Sequence, residues 1–315
     1  MNMTTEEKIK GMMLGYALGD ALGIGTEFMT RREVERYYPD GLHSFSQIIR
    51  DAHRSQWPRG NWSNDTEMLI VLAESVDEAK GIDILNYAAK LGEWVKKEPV
   101  DLVPVYRCVL SDPQWVAKPL TTCRKVWKEQ NLVEASNEAL YRALITGVVS
   151  GENLLEETRL MVEITHIDNR CIATAVVIAR MAQSLMWEWK PASPEELRQL
   201  ADVIDHRTVQ YITAAEEAAD ISELNLDDDE TIWYTRKTMA AVLWAIWHCD
   251  SPRQILHTLV HCGGDADTNA ALGMGLAGLR YGAQALPDIV KDLNEYDRID
   301  KAADLLIAFV KTLEK

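Results

Sequence analysis

Apolar residues recur at helical spacing along nearly the whole chain, and this periodicity constrains the fold more than any other feature. Segments such as 172–186, 194–204 and 232–247 carry apolar stripes typical of helices that pack on a core. No segment alternates apolar and polar residues as a half-buried strand would. With 315 residues, 47% of them hydrophobic, the chain can bury one large core. The pattern predicts an all-α, compact single-domain multi-helix bundle over residues 1–315.

Similar stripes predict most of the remaining helices, which brings the total to about a dozen. They cover the segments 9–17, 68–75, 82–95, 139–149, 154–164, 209–219, 255–261, 268–281 and 299–313. Segment 98–131 contains prolines at 99, 104, 113 and 119, and we expect a long irregular excursion there. The acidic run at 227–230 is expected to be a solvated loop that caps the helix after it.

The bulk composition excludes several classes of function. The formal net charge of −16 repels nucleic acid and anionic lipid, so neither is expected as a partner. Five cysteines without CxxC spacing indicate free thiols in a cytoplasmic protein, not a disulfide framework or a zinc site. The first residues lack the pattern of an export signal, and no apolar run is long enough to span a membrane. The oligomeric state is left open.

A small-residue helix near the start of the chain carries an unusual acid. The segment GYALGDALG at 15–23 has small residues at every second position, which favours close helix packing. Packing does not explain Asp20, because a buried carboxylate needs a partner or a metal. Glu27 follows where this helix should end, and we expect it to point into a cleft.

Two acidic turns lie roughly 200 residues apart, GNWSNDT at 60–66 and GGDADT at 263–268. Each comes just before a predicted helix, so part of each turn serves as an N-cap or turn former. Two aspartates after two glycines exceed what one cap requires. Hard divalent cations such as Mg²⁺ prefer several oxygen ligands, some of them charged. The sequence therefore predicts a metal centre at which the two ends of the chain meet.

Two further polar segments have both a structural and a functional interpretation. In THIDNR at 165–170, a lone His166 is more often a hydrogen-bonded structural residue than a ligand. In SNEALYR at 136–142, Asn137 and Glu138 follow a serine that is a plausible N-cap. Either segment is consistent with a substrate contact.

These motifs, in this order, resemble those of the ADP-ribosylglycohydrolase family. The resemblance rests on GYALGDALG with Glu27, on WSNDT, on THIDNR and on GGDADT, and it covers nearly the whole chain from Gly11 to Gly282. Four ordered motifs are more specific than any one of them. The resemblance implies a compact all-α fold with a two-metal centre of magnesium or manganese in a cleft. It also implies release of ADP-ribose from modified side chains, often arginine or serine, or from small ADP-ribosyl compounds.

Carried over by position, the resemblance implies a role for each site residue. The acids Glu27 and Asp65 are implied as the catalytic residues. One or two Mg²⁺ ions, with Mn²⁺ as the alternative, are then held by Ser63, Asn64, Asp65, Asp265, Asp267 and Thr268. The residues implied to contact the ADP-ribosyl substrate are Asn137, Glu138, His166 and Gly264.

Two departures from the family pattern bear on the substrate. The family usually has two aspartates where this chain has Asn64 and Asp65, and an amide oxygen brings no charge to a metal. The family also usually has an Asn-Gly loop where this chain has Asn137 and Glu138, which adds a negative charge beside the expected pyrophosphate. Three hypotheses stay open: an ADP-ribosyl hydrolase, a glycosidic hydrolase of the same fold with another nucleotide-sugar substrate, and a catalytically dead ADP-ribose-binding or structural relative.

Overall fold

The computed structural model describes residues 3–100, 102 and 104–314. Within that part of the chain there are fifteen α-helices and no β-strand, which confirms the all-α prediction. The helices are α1 (Thr5–Gly23), α2 (Arg31–Tyr37), α3 (Asn64–Ala79), α4 (Ile84–Val95), α5 (Pro104–Leu110), α6 (Pro119–Glu129), α7 (Tyr141–Val149), α8 (Leu154–Glu163), α9 (Asn169–Gln183), α10 (Pro194–Ile204), α11 (Val209–Glu217), α12 (Thr235–His248), α13 (Pro252–His261), α14 (Ala266–Tyr281) and α15 (Tyr296–Leu313).

The first helix and the last but one lie against each other at the centre of the molecule. Helix α1 is buried on nearly all of its faces, and α14 is buried along most of its length. Their backbones approach so closely that a Cβ atom on Gly19 would lie 2.1 Å from the carbonyl oxygen of Ala270. This packing brings the end of α1 to the start of α14, and so joins residues near 20 to residues near 265.

The other helices surround this central pair. Helices α3 and α15 pack on each other and on α1, while α12 and α13 pack on α14. Helix α9 packs against α7, α8, α10 and α12. All five cysteines are free thiols, as expected. Among the described helices, none is long and apolar enough to cross a membrane.

Two expectations about the connecting segments are wrong. Segment 98–131 contains two helices, α5 and α6, which begin at Pro104 and Pro119. Proline is favourable at a first helical position, because the N–H that it lacks has no partner there. The acidic run at 227–230 lies in an exposed loop, as expected, but it does not cap the next helix. The N-cap of α12 is Tyr234, without a side-chain cap, and Asp228 instead accepts from Thr231 Oγ1 at 2.8 Å.

Candidate metal centre and substrate cleft

The first acidic turn is fixed by the buried aspartate of α1. Asp20 is fully buried, and its carboxylate accepts from the backbone N–H groups of Ser63 at 2.9 Å and Thr66 at 3.1 Å. It also accepts from the Thr66 hydroxyl at 2.6 Å. Ser63 is the N-cap of α3 and accepts from the Asp65 N–H at 3.2 Å. Asp20 is therefore the anchor of this turn, and the half-buried Asn64 opens the helix.

The second acidic turn is attached to the loop that follows α1. Gly263 and Gly264 have φ values of +66° and +65°, a left-handed conformation that favours glycine. The Gly264 N–H donates to the Met29 carbonyl at 2.9 Å, and the Phe28 N–H donates to the Gly264 carbonyl at 2.8 Å. A Cβ atom on Gly264 would lie 2.2 Å from the Leu226 carbonyl oxygen, so no side chain fits there.

These two attachments bring the acids of both turns together. One carboxylate oxygen from each of Glu27, Asp265 and Asp267 lies within 4.8 Å of the others, and all three side chains are buried. Asp65 joins this group through the Thr268 hydroxyl, which donates to Asp65 Oδ2 at 2.9 Å. We call Glu27, Asp65, Asp265 and Asp267 the acidic cluster. The predicted meeting of the two ends of the chain is confirmed.

The acidic cluster is electrostatically unfavourable by itself. Burial and the neighbouring carboxylates hold the pKa values of Asp65 and Asp267 well above their ordinary range. Burial also raises the pKa of Asp265 to about 6, although the hydrogen bond from Asn137 opposes the rise. The charges that act most strongly on Asp267 are negative. A cation bound among these oxygens would relieve the repulsion.

In metal-free protein we expect the free energy of unfolding to fall as the pH rises from about 4 to 7. The cluster aspartates have folded pKa values above their unfolded values, so the folded state holds more protons in this window. As the protons leave, the folded state loses stability. For Asp265, the rise from 3.8 to about 6 corresponds to roughly 3 kcal/mol.

Urea unfolding at pH 5 and pH 7, with EDTA or with Mg²⁺, measures this effect. Mg²⁺ should flatten the dependence, because the cation replaces the protons that neutralise the cluster. Equal pH dependence with and without the metal would contradict the prediction.

Asn137 donates a hydrogen bond to the acidic cluster. It is buried, and its Nδ2 donates to Asp265 Oδ2 and, at 2.8 Å, to Thr238 Oγ1. In this structure Asn137 therefore orients a candidate metal ligand. A direct contact of Asn137 with the substrate stays a prediction, as does that of Gly264.

The adjacent Glu138 is held by two polar side chains. Its Oε2 lies 3.1 Å from Ser136 Oγ and 3.2 Å from His166 Nε2. His166 is fully buried and acts here on Glu138, while Glu138 itself keeps 12% of its side-chain surface exposed. The predicted contact of His166 with the substrate stays a prediction.

A cleft of about 530 Å³ opens beside Glu138. It lies between the loop at 133–138 and the loop at 229–234, and Arg170, Trp233 and Tyr234 contribute to its walls. Arg170 is paired with Asp168 at 2.7 Å, and four acids also line the cleft, namely Glu134, Glu138, Asp229 and Glu230. The cleft is therefore more suited to a cation or to hydrogen-bond donors than to a free anion.

Comparison with known proteins explains this arrangement. A model of the ADP-ribosylglycohydrolase family matches residues 1–314. The chain belongs to the ADP-ribosylglycohydrolase family. It is an ADP-ribosylglycohydrolase-like hydrolase, and its cluster is built from the turns that carry the family motifs.

Curated relatives and a solved structure agree with this membership. The chain is 27% identical over 291 residues to an ADP-ribosyl-[dinitrogen reductase] glycohydrolase of Rhodospirillum rubrum, covering 90% of this chain and 89% of that protein. It is 25% identical over 314 residues to the ADP-ribosylarginine hydrolase Tri1 of Serratia proteamaculans, covering 95% and 79%. A structure of an ADP-ribosylglycohydrolase-related protein complex has the same fold, with a TM-score of 0.75, 23% identity and coverage of 97% and 99%.

Sequence reasoning missed a clamp that holds the Glu27 loop of this protein. His53 Nε2 lies 2.7 Å from Glu27 Oε2. The buried Arg54 donates to the Glu27 carbonyl and, at 2.9 Å, to the Gly25 carbonyl, and it also pairs with Asp51. The polar residues within 51–54, just ahead of the first acidic turn, could have indicated this clamp. Such residues are typical of any exposed turn, however, so they did not single it out.

Aromatic side chains surround this clamp at the surface. Phe28 is 41% exposed and has a φ of +59°, which is unusual for a residue with a side chain. Its ring contacts that of His53, with centroids 4.9 Å apart, and that of Trp233 at 5.8 Å. Because Trp233 also lines the cleft, these rings connect the Glu27 loop to the cleft wall.

A buried arginine is connected to Glu138 through Thr165 and His166. The guanidinium of Arg142 can only donate, and its Nη1 donates to Thr165 Oγ1 at 2.8 Å. Thr165 Oγ1 also lies 2.9 Å from His166 Nδ1, so it connects the guanidinium to the imidazole. The other ring nitrogen of His166, Nε2, lies 3.2 Å from Glu138 Oε2. This chain of contacts connects the buried guanidinium to the carboxylate of Glu138 at the edge of the cleft.

Proposed function

We propose that this protein is a metal-dependent hydrolase that cleaves the glycosidic bond between ADP-ribose and an acceptor. The acceptor is a modified protein side chain or a small molecule. The observation that carries the proposal is the convergence of Glu27, Asp265 and Asp267 within 4.8 Å at the junction of two family motifs. The names of the two curated relatives, both ADP-ribosyl hydrolases, support the reaction class.

The residues present fit Mg²⁺ or Mn²⁺. The donors are carboxylate, hydroxyl and amide oxygens, which these ions prefer. The buried carboxylates also repel one another, so a cation stabilises them. The residues that would hold one or two ions are Ser63, Asn64, Asp65, Asp265, Asp267 and Thr268. When bound, the metal supplies Lewis acidity and orients the hydroxyl groups of the distal ribose.

The protein side chains would carry the proton transfer. Glu27 or Asp65 accepts a proton from the water whose oxygen attacks the anomeric carbon. The bond from that carbon to the acceptor breaks as the new bond forms, and the proton taken from the water passes from the carboxyl group to the departing acceptor. The transition state resembles an oxocarbenium ion, and the nearby carboxylates stabilise its positive charge. His53 positions Glu27 for this role through their 2.7 Å contact.

Glu138 favours a particular class of acceptor. Its carboxylate lines the cleft together with Glu134, Asp229 and Glu230. A cationic or donor-rich acceptor, such as a guanidinium, pairs with these acids, whereas a phosphate beside them is repelled. An arginine-linked substrate fits this cleft better than one that places its pyrophosphate there.

The acidic lining of the cleft also favours a second candidate, a hydrolase of this fold with another nucleotide-sugar substrate. The negative cleft disfavours ADP-ribose if its pyrophosphate must pass Glu138. A catalytically dead ADP-ribose-binding or structural relative has less support. Four buried carboxylates cost stability, and a purely structural role does not require them.

The test is release of ADP-ribose from arginine-modified and serine-modified peptides and from a small ADP-ribosyl compound. We expect release with Mg²⁺ or Mn²⁺ and loss of release with EDTA, with the arginine-modified peptide preferred. If no substrate is cleaved but calorimetry shows metal-dependent ADP-ribose binding, the protein is a binding relative. If neither is observed, the second candidate replaces the proposal.

The substitution Asn64→Asp tests the first departure from the family pattern. We expect it to tighten Mg²⁺ binding by about tenfold, because it adds a negative charge to the ligand set. The matched control is Asn61→Asp in the same turn, whose Oδ1 accepts from Asn294 Nδ2 at 2.5 Å and remains an acceptor as a carboxylate. Calorimetric titration of Mg²⁺ measures both variants. Unchanged affinity in Asn64→Asp would remove Asn64 from the ligand set.

A further inference from the structure

One buried tyrosine lacks the hydrogen bond that other buried tyrosines of this chain make. The hydroxyls of Tyr87 and Tyr106 both bond to the hydroxyl of Tyr141. Tyr16, in α1, is fully buried as well, but its hydroxyl has no hydrogen-bond partner among the residues that the structure describes. A buried hydroxyl without a partner costs folding free energy, so we expect this group to bind a ligand or a water molecule.

Two helices place the Tyr16 side chain beside the acidic cluster. On α1, Tyr16 lies one turn before Asp20, the residue that anchors the first acidic turn. On α14, a Cβ atom on Gly275 would lie 3.4 Å from Tyr16 Cδ2. Thr268 precedes Gly275 by two helical turns and so lies on the same face of α14, and its hydroxyl donates to Asp65. The Tyr16 ring therefore packs on the side of α14 from which Thr268 reaches Asp65.

Asp65 is the carboxylate that acts most strongly on this hydroxyl. Burial raises the pKa of Tyr16 well above its ordinary value, and the negative charge of Asp65 is the next largest cause, ahead of that of Asp20. The two carboxylates also differ in their hydrogen bonds. In the described part of the chain Asp20 accepts three, whereas Asp65 accepts one, from Thr268. Because a carboxylate has about four acceptor positions, Asp65 has the greater capacity to accept another donor.

A water molecule can satisfy both groups at once. Among the described residues, the Tyr16 hydroxyl and the Asp65 carboxylate do not bond to each other directly. A phenol can donate one hydrogen bond, and an ionised carboxylate only accepts. A water oxygen accepts from the phenol and its own O–H group donates to the carboxylate, so no proton is transferred. Buried waters in proteins typically bridge polar groups in this way.

We propose that the Tyr16 hydroxyl holds a buried water molecule that bridges to the Asp65 carboxylate, which makes Tyr16 a positioning residue of the candidate metal centre. The inference rests on the proposed function in one respect, namely that Asp65 is a metal ligand there. The bridge restrains a carboxylate that otherwise depends on the hydroxyl of Thr268. It does so from within the core, on the side of α1.

The first test is a crystal structure of the wild type, grown in EDTA, at a resolution that shows ordered waters. We expect a water molecule about 3 Å from Tyr16 Oη and from a carboxylate oxygen of Asp65, and we expect its loss in Tyr16→Phe. A direct hydrogen bond from the Tyr16 hydroxyl to a protein group, or no water at this position, would overturn the proposal. Because this experiment needs no metal, it decides the role of Tyr16 even if the proposed function fails.

Calorimetric titration of Mg²⁺ measures the consequence for the metal centre. Tyr16→Phe should weaken binding by about tenfold, because it releases Asp65 from the bridge. Tyr87→Phe is the matched control, since it removes an equally buried hydroxyl that bonds to Tyr141 instead, and it should bind Mg²⁺ as the wild type does. Urea unfolding in EDTA verifies that both variants are folded.

Two kinds of failure can be distinguished in the titration. Wild-type affinity in Tyr16→Phe, or an equal loss in Tyr87→Phe, would overturn the role of Tyr16. A wild type that binds neither Mg²⁺ nor Mn²⁺ would instead contradict the proposed function, and the crystal structure in EDTA would then decide whether Tyr16 holds the water.

Discussion

Asp267→Asn is expected to lower kcat/KM for ADP-ribose release by about a thousandfold, which corresponds to about 4 kcal/mol of transition-state stabilisation. Asp267 is 5% exposed and lies with Glu27 and Asp265 at the centre of the cluster. The asparagine keeps the shape of the side chain but removes one charge from the proposed metal site. Mg²⁺ affinity should fall together with activity.

The same substitution should stabilise the metal-free protein. Burial and the charges of neighbouring acids hold the pKa of Asp267 well above its ordinary range, so ionised Asp267 costs folding free energy at pH 7. A neutral amide removes that cost, and we expect a gain of about 1–2 kcal/mol in EDTA. A variant that loses activity but gains stability identifies a residue whose role is to bind a ligand and not to stabilise the fold.

The control is Asp288→Asn, at a side chain that is 92% exposed and pairs with Lys291 on the surface. It should change neither activity nor stability appreciably, because exposed ion pairs contribute little. Steady-state kinetics and urea unfolding in EDTA measure both variants. If Asp267→Asn retained activity within tenfold of the wild type, or became less stable in EDTA, the assignment of the cluster would be wrong.

Gly19→Ala is expected to lower the free energy of unfolding by about 3 kcal/mol or more, although alanine is the better helix former. The added Cβ atom would lie 2.1 Å from the Ala270 carbonyl oxygen and 2.6 Å from the Ala271 nitrogen. These are backbone atoms of a buried helix and cannot move aside separately. Helices α1 and α14 must separate, which disturbs the acidic cluster at their ends.

Gly92→Ala in α4 is the matched control for this substitution. There the added Cβ atom meets the Val116 Cγ2 atom at 2.7 Å, and Val116 is 42% exposed. Because a partly exposed side chain can rotate, we expect a change within about 1 kcal/mol, with helix propensity favouring alanine. Urea unfolding with Mg²⁺ present compares the two variants. Equal stability of Gly19→Ala and the wild type would show that the two helices can separate without cost.

The helices were predictable where the local signals agree. The segment 194–204 was predicted with its observed bounds from its apolar stripe, and the structure adds an N-cap at Ser193 and a proline at the first helical position. The segment 98–131 was predicted as irregular, because its prolines were interpreted as helix breakers. Two of them instead begin helices, and only the packing of α5 and α6 decides which role a proline takes.

The sequence by itself determined the all-α class and the two acidic turns, because helical periodicity and clustered oxygen side chains are local patterns. It also required the turns to meet, since neither has enough ligands alone. Only the tertiary structure decided that Asp20 anchors α3, that His53 and Arg54 hold the Glu27 loop, and that Arg142 is connected to Glu138 through His166. These contacts join residues far apart in the chain, and no local pattern specifies which polar side chains will face each other once the helices pack.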